Sequence, residues 1–218
     1  MTRVGLLGTA ALSLAFGLVR VLVDDHDPDL PQPLAPASVQ EQAYQGETVT
    51  DDLAAWDVTG AGTLTSAVEG DETVWTATGR GRATWTQPLA GLVFDLGFQF
   101  PEKRVDAGVV VRVPGNELNA GVEVELDRAA DGGARVGYIS GLVDPIVYIQ
   151  PPPSEWHTLR VTVSGERVIV HVDGQHVVDW VDLAPGDGRM AAQGKVALRF
   201  SDGIRFKSVK LAETSELD

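Results

Sequence analysis

The stretch LRVTVSGERVIVHVDGQHVVDWVD, residues 159–182, gives the clearest indication of the fold class. Apolar side chains occupy every second position in two successive runs, Leu159–Val163 and Val168–Val172. This period of two is typical of strands with one buried face. Turn residues follow each run, Ser164-Gly165 and then Asp173-Gly174, and an Asp-Gly pair favours a tight hairpin because both residues tolerate positive φ. The stretch therefore predicts three antiparallel strands, the third running through Val177–Trp180.

The same pattern covers most of the chain after residue 48. Further short runs rich in Val, Phe and Leu are separated by turn residues; they are Val93–Phe100, Ala107–Val113, Gly121–Asp127, Lys195–Phe200 and Ile204–Leu211. The chain has 24 Gly and 12 Pro and no sustained helical period, and its 218 residues leave room for one sandwich-sized domain. We therefore predict an all-β sandwich of two antiparallel sheets.

An apolar segment lies at the N-terminus. Val4–Val23, VGLLGTAALSLAFGLVRVLV, has about the ~20 residues that a spanning helix needs. Arg3 precedes it and Asp24 begins an acidic run after it, which places the N-terminus in the cytoplasm and the domain outside. The segment fits an uncleaved signal-anchor or a removed signal peptide. We favour the anchor because the small-x-small site Ala35-Pro36-Ala37 is distant and contains proline.

These observations divide the chain into four parts. Residues 1–23 are the signal-anchor or signal peptide, and residues 24–47 are a Pro/Asp-rich spacer. Residues 48–213 are the β domain, and residues 214–218 are a tail. We expect one N-terminal apolar helix, contact with a membrane through residues 4–23, and a cell-membrane location with the domain outside the cytoplasm. If the segment is cleaved, the domain is secreted.

Charge and residue usage exclude several classes of protein. The formal net charge is −14 and no stripe of Lys or Arg occurs, so we expect no nucleic-acid partner. The chain has no cysteine, which removes thiolate metal sites and cysteine nucleophiles. No pair of histidines has convincing metal-ligand spacing, so we predict no metal and no cofactor.

One strand carries the candidate catalytic residues. In the segment GVEVELD, residues 121–127, Glu123, Glu125 and Asp127 share one face of a strand, with neighbours roughly 6.6 to 6.8 Å apart along the backbone. Paired carboxyls at about 5 to 9.5 Å serve as acid, base or nucleophile in glycoside hydrolysis, and their mutual repulsion raises a pKa. The alternative interpretation is a plain solvent-facing surface of an acidic protein.

Three more side chains could contact a ligand. Arg112 is a lone cation in a valine run, on the face opposite Val109, Val111 and Val113, and we expect it to pair with a carboxylate such as Glu123. Its role could be structural or substrate-binding. His157 is the best histidine for a general base or polar contact, and the neighbouring Trp156 suits sugar stacking, although we expect most of the five tryptophans in the core.

A series of different short motifs lies along residues 55 to 212. In chain order they are Trp56 with Gly60, Phe94-Asp95-Leu96, Asp106-Ala107-Gly108 followed by Arg112, Gly121–Glu125, Gly137-Tyr138, Pro153–His157, Val172-Asp173-Gly174, and Gly194–Leu198 leading to Ile204-Arg205-Phe206. This order resembles the concanavalin A-like, LamG-like jelly rolls grouped as 3-keto-disaccharide hydrolase domains.

The resemblance implies a jelly-roll sandwich whose concave face holds sugar-like ligands, with hydrolysis of oxidised glycosides in some members. It places Arg112, Glu123, Asp127 and His157 at the site, to which we add Tyr138 and Trp156 as substrate-binding residues. The chain departs from the family pattern at four points: it has Asp106-Ala107-Gly108 where Asn-Ser-Gly is usual, Glu125 for Gln and His157 for Asn, and Asp127 comes one residue early.

The hypothesis is thus a carbohydrate-active domain acting on glycosides or cell-surface glycan. The alternative is a non-catalytic glycan-binding or structural envelope module.

Overall fold

A computed structural model describes residues 52–114, 120–183 and 190–214. After a short 3-10 helix at Leu53–Ala55, the described residues form the following strands: β1 Trp56–Gly60, β2 Thr63–Glu69, β3 Glu72–Thr78, β4 Gly81–Trp85, β5 Leu92–Gln99, β6 Gly108–Val113, β7 Val122–Arg128, β8 Ala134–Ile139, β9 Trp156–Ser164, β10 Arg167–Val172, β11 Gln175–Val181, β12 Lys195–Phe200 and β13 Arg205–Glu213.

The strands make two sheets. One has six strands in the order β1-β4-β12-β6-β7-β8, and the other has seven in the order β11-β10-β9-β5-β13-β3-β2. Neighbouring strands pair antiparallel throughout both sheets, as far as the chain is described. The predicted all-β sandwich of two antiparallel sheets is confirmed.

The stretch at residues 159–182 folds as its pattern predicts. It forms β9, β10 and β11, with Leu159, Val161 and Val163 buried. In the turn before β11, Asp173 has φ 49° and Gly174 has φ 73°. Two consecutive positive φ values are those of a type I′ turn, whose twist matches the twist of the flanking strands.

The core lies between the sheets and explains the alternation. Inward residues of both sheets are fully buried, among them Val109 and Val124 of one and Phe94 and Val161 of the other. Burying each such side chain stabilises the fold by about 1.5 to 3 kcal/mol relative to exposure. Trp56 lies edge-on to Trp75 at 5.9 Å, so these two tryptophans belong to the core as expected.

A bulge in β6 overturns the prediction that Arg112 lies on the face opposite Val109, Val111 and Val113. Lys195 faces Val113 while Ala197 faces Val110, so β6 has one residue more than its partner between these pairs. Arg112 has φ 58°, and such a bulge reverses the sequence of faces. Val113 consequently joins Val110 and Ala197 in a separate apolar cluster and does not share the face of Val109.

The N-terminal predictions lie outside the described residues. This applies to the apolar helix at residues 4–23 and to the spacer at residues 24–47. Within the described ranges, no helix has the length and hydrophobicity needed to cross a bilayer.

Candidate functional site

The outer face of the six-stranded sheet brings the acidic residues together. On β7, Val122, Val124 and Leu126 are buried in the core. The alternation therefore leaves Glu123, Glu125 and Asp127 on the opposite face, as predicted from the sequence. We call this surface, with its basic residues Arg82 and Arg199, the carboxylate face.

Arg199 of β12 is the centre of the carboxylate face. Its Nε lies 2.5 Å from Glu123 Oε1, its Nη1 donates a hydrogen bond to Asp106 Oδ1, and its Nη2 lies 3.7 Å from Asp127 Oδ1. One guanidinium thus contacts two carboxylates of β7 and one from the loop before β6. Although burial opposes it, the hydrogen bonds to Asp106 and Glu123 raise the pKa of Arg199.

Strand register aligns the face in one row. Arg82 faces Arg199, Arg199 faces Gly108, and Gly108 faces Glu125. Because Gly108 has no side chain, the row has a gap between the cation and Glu125. A Cβ at Gly108 would lie 2.6 Å from Glu123 Oε1, so the glycine is what lets Glu123 reach across to Arg199.

The surroundings of Asp127 shift the pKa of its carboxyl. Burial disfavours its ionised form and raises its pKa to about 6. The backbone N–H of Ala107, which donates to Asp127 Oδ1 at 2.9 Å, and the charge of Arg199 act in the opposite direction but do not cancel this effect. Asp127 therefore gains or loses a proton close to neutral pH, as an acid or base catalyst must.

The edge strand β8 adds an aromatic and a basic side chain. Arg135 Nε lies 2.7 Å from Glu125 Oε2, and its guanidinium carbon lies 4.6 Å from the centre of the Tyr138 ring. The Tyr148 ring follows, with its centre 6.0 Å from that of Tyr138. The structure thus places the predicted Tyr138 beside the carboxylates.

The other predicted binding residues lie elsewhere. His157 and Trp156 are on β9 of the seven-stranded sheet. His157 Nδ1 lies 2.8 Å from Asp173 Oδ2 and its ring packs 5.7 Å from that of Phe98. Adjacent strand residues point to opposite sides, so Trp156 lies on the outer surface, beneath Arg205 and Lys207.

Arg112 is likewise not a residue of the carboxylate face. Its side chain is 1% exposed, too little for contact with a ligand. It donates hydrogen bonds to the carbonyls of Ala191 and Ala192 and, at 3.0 Å, of Gly165 in the turn between β9 and β10. The expected partner Glu123 is bound by Arg199 instead, and Arg112 ties the six-stranded sheet to a turn of the seven-stranded sheet.

Arg199 and Asp106 were missed by sequence reasoning about the site. In the segment KVALRF, residues 195–200, the large apolar residues Val196, Leu198 and Phe200 alternate with Lys195, Ala197 and Arg199, so the sequence does indicate a cation on the outer face. The sequence does not indicate that this cation lies near β7, because β12 is about 70 residues further along the chain. Only the strand order brings β12 close to Glu123.

The face can be reached by a small ligand. Side chains of Glu123, Asp106 and Asp127 keep 25%, 29% and 31% of their surface exposed, and Arg199 keeps 27%. The arrangement offers a base near neutral pH beside a fixed cation. In the described ranges, no three His, Cys, Asp or Glu residues are grouped to hold a metal ion.

Comparisons with known proteins agree on the class of domain. The profile of a family described as the 3-keto-alpha-glucoside-1,2-lyase-like domain matches residues 46–212. No curated protein matches the chain in sequence.

Solved structures share the jelly-roll type of fold. A candidate glycosyl hydrolase from Parabacteroides distasonis is similar with TM-score 0.59 and 15% identity, over 74% of this chain and 89% of the other. The carbohydrate-binding module CBM66 of Bacillus subtilis has TM-score 0.53 and 14% identity, over 78% and 100%. A Bacillus subtilis protein with a galectin-like fold has TM-score 0.55 and 9% identity, over 80% and 99%.

Proposed function

The chain belongs to the 3-keto-alpha-glucoside-1,2-lyase-like domain family, and from that premise we propose that its carboxylate face cleaves glycosides in which the sugar carries a ketone at C3. The observation that carries the proposal is the juxtaposition of Asp127, whose pKa is about 6, with the guanidinium of Arg199, 3.7 Å away. A proton acceptor beside a fixed cation is what such a substrate requires.

The chemistry follows from the position of the ketone. A carbonyl at C3 acidifies the hydrogen on C2, and C2 adjoins C1, which bears the glycosidic oxygen. A base removes the C2 proton, and the electrons of that C–H bond form an enolate whose charge rests on the C3 oxygen. The enolate then forms a C1=C2 double bond while the C1–O bond breaks. The departing oxygen takes a proton from water, and the hydroxide that remains takes the C2 proton from the base. The products are an alcohol and an unsaturated keto sugar, and the base returns to its original state.

Residues of the carboxylate face match these steps. Asp127 is the base, since its raised pKa makes it a stronger proton acceptor than an ordinary aspartate. Arg199 stabilises the enolate oxygen, as a preorganised cation does for charge that develops in a reaction. Glu123 is a positioning residue, because its 2.5 Å contact with Arg199 Nε fixes the guanidinium.

The test uses 3-keto-4-nitrophenyl α-glucoside, from which cleavage releases the coloured nitrophenol. We expect activity in the wild type, a loss of at least about a hundredfold in kcat for Asp127→Asn, and a smaller loss for Glu123→Gln. Asp71→Asn is the control, since it removes one exposed carboxylate from the turn between β2 and β3. Equal activity of wild type and Asp127→Asn would contradict the assigned role.

A solvent isotope experiment separates elimination from direct hydrolysis. In D2O, reversible removal of the C2 proton exchanges it for deuterium in recovered substrate, and the unsaturated product absorbs in the ultraviolet. Direct displacement at C1 by water gives neither signal. Cleavage without exchange and without the unsaturated product would replace the elimination mechanism with a hydrolytic one.

A second candidate function is glycan binding without turnover. It is favoured by the pairing of Glu123 with Arg199 and of Glu125 with Arg135, which leaves these carboxylates neutralised as in a recognition surface. One similar structure is a carbohydrate-binding module. Binding on a glycan array that Arg199→Gln abolishes, with no cleavage of any keto glycoside, would select this function.

We also propose that the domain works outside the cytoplasm, tethered through residues 4–23. Support comes from the apolar run Val4–Val23, with Arg3 before it and the acidic run from Asp24 after it. In fractionated cells the full chain should pellet with membranes and be digested by protease added outside. A version lacking residues 1–23 should be soluble, and a membrane-bound truncated protein would contradict the tether.

A further inference from the structure

We infer that Tyr138 and Tyr148 form a platform for the group released from the sugar, and that this group is aromatic. The inference rests on the proposed function, because it assigns the second half of the substrate of the same site. It concerns the edge of the carboxylate face formed by β8 and the segment 140–155 that follows it.

A second bulge delivers Tyr138 to the carboxylates. Val124 faces Ile139 and Leu126 faces Val136, so the single residue Glu125 faces both Gly137 and Tyr138. Gly137 has φ 79°, a value that favours glycine, and a Cβ there would lie 2.8 Å from a methyl of Val177. The bulge therefore depends on this glycine, and bulges of this kind commonly aim side chains at functional sites.

The distance from Arg199 to the platform matches the length of a substrate made of two rings. Successive members of the row, Arg199, Gly108, Glu125 and Tyr138, belong to four neighbouring strands. At roughly 4.8 Å between strands, this row spans about 14 Å, which accommodates one sugar ring and one further ring. A keto sugar above Arg199 and Asp127 would thus place its substituent over Tyr138.

The segment after β8 is fixed although its apolar side chains are exposed. Gln150 donates to Ala134 O at 3.1 Å and accepts from Ala134 N at 2.8 Å, and Ile146 N donates to Val177 O at 2.8 Å. Nevertheless Ile146 is 70% exposed and Tyr148 63%. Together with the neighbouring Val147 they form a contiguous exposed apolar patch, which is typical of an interaction surface.

The occupant is an aromatic ring rather than a protein surface. Two tyrosine rings 6.0 Å apart and inclined at 56° present an area suited to one flat ring, which pairs with tyrosine edge-on or offset. Arg135, whose guanidinium carbon lies 4.6 Å from the centre of the Tyr138 ring, adds a cation that favours polar substituents on the ring of the ligand. The substrates are therefore keto glycosides of phenols.

The kinetic test compares two leaving groups. For 3-keto-4-nitrophenyl α-glucoside, Tyr148→Ala should raise KM about tenfold, because stacking of one ring contributes on the order of 1.4 kcal/mol. For 3-keto methyl α-glucoside the same variant should leave KM and kcat unchanged. Tyr148→Phe keeps the ring and should behave as wild type. Val68→Ala, which removes an apolar side chain 75% exposed on the seven-stranded sheet, is the matched control.

A binding test distinguishes failure of the platform from failure of the reaction. Unoxidised 4-nitrophenyl α-glucoside, which lacks the ketone, should bind the wild type about tenfold more tightly than methyl α-glucoside in a titration, and Tyr148→Ala should abolish that preference. If keto glycosides are not cleaved but the preference exists, the proposed reaction is wrong and the platform stands. Equal binding of both glycosides, or a preference that survives Tyr148→Ala, would overturn the platform.

Discussion

Replacing Asp127 with asparagine should make the protein more stable at neutral pH. Burial raises the pKa of this carboxyl from 3.8 to about 6 in the folded protein. Below about pH 4 it is protonated in both states and imposes no cost. As pH rises from 4 to 6 the unfolded chain loses the proton while the folded protein keeps it, so the free energy of unfolding falls and then levels off.

The magnitude follows from the size of the shift. About two pKa units at 1.36 kcal/mol each give an upper value of about 3 kcal/mol, which solvent screening reduces because 31% of the side chain is exposed. We expect Asp127→Asn to be about 1 to 2 kcal/mol more stable than wild type at pH 7.5. The asparagine oxygen can still accept the hydrogen bond of Ala107 N, so no donor is left unpaired.

Urea unfolding at pH 4, 5, 6 and 7.5 measures the effect. The gain should vanish at pH 4 and reach its full value near pH 7, where it corresponds to about 3 to 6 °C in Tm. Asp71→Asn controls for the change in net charge. The reasoning fails if Asp127→Asn is less stable than wild type at pH 7.5, or if its gain is the same at every pH.

Three further substitutions test the contacts of the six-stranded sheet. Arg199→Gln should lose about 1 to 3 kcal/mol at pH 7.5 and less at pH 4, because three carboxylates lose their shared cation; urea unfolding at both pH values checks this, and a pH-independent loss would contradict it. Arg112→Met should lower the free energy of unfolding by at least about 3 kcal/mol in the same assay, because it leaves buried carbonyls without a hydrogen-bond donor. Glycan binding by the folded fraction of this variant should be unchanged. Gly108→Ala should lower kcat on the keto glycoside about tenfold by pushing Glu123 away from Arg199, and a wild-type rate would show that this contact does not position the guanidinium.

Much of the fold could be predicted from local sequence. The alternation in residues 159–182 and the Asp173-Gly174 turn depend on neighbours only a few positions apart, so the chain itself displays them. The shared face of Glu123, Glu125 and Asp127 has the same origin. Predictions failed where a bulge interrupts the alternation, as at Arg112. The extra residue and the positive φ of this bulge have no recognisable pattern in the amino-acid sequence.

The composition of the candidate site depended on which strands are neighbours. Sequence reasoning paired Glu123 with Arg112 and brought His157 and Trp156 to the same place. The fold instead puts β9 in the other sheet and inserts β12 between β4 and β6, which makes Arg199 the partner of Glu123.

The β class, the strands and the face that carries the acids are thus all evident from local sequence, because side-chain alternation is a direct consequence of strand geometry. The cation that binds those acids and the depth at which Asp127 is buried are evident only from the folded arrangement of the strands. The contacts of Arg199 with these carboxylates join segments about 70 to 90 residues apart in the chain, and the order of strands that creates such contacts is a property of the whole sandwich.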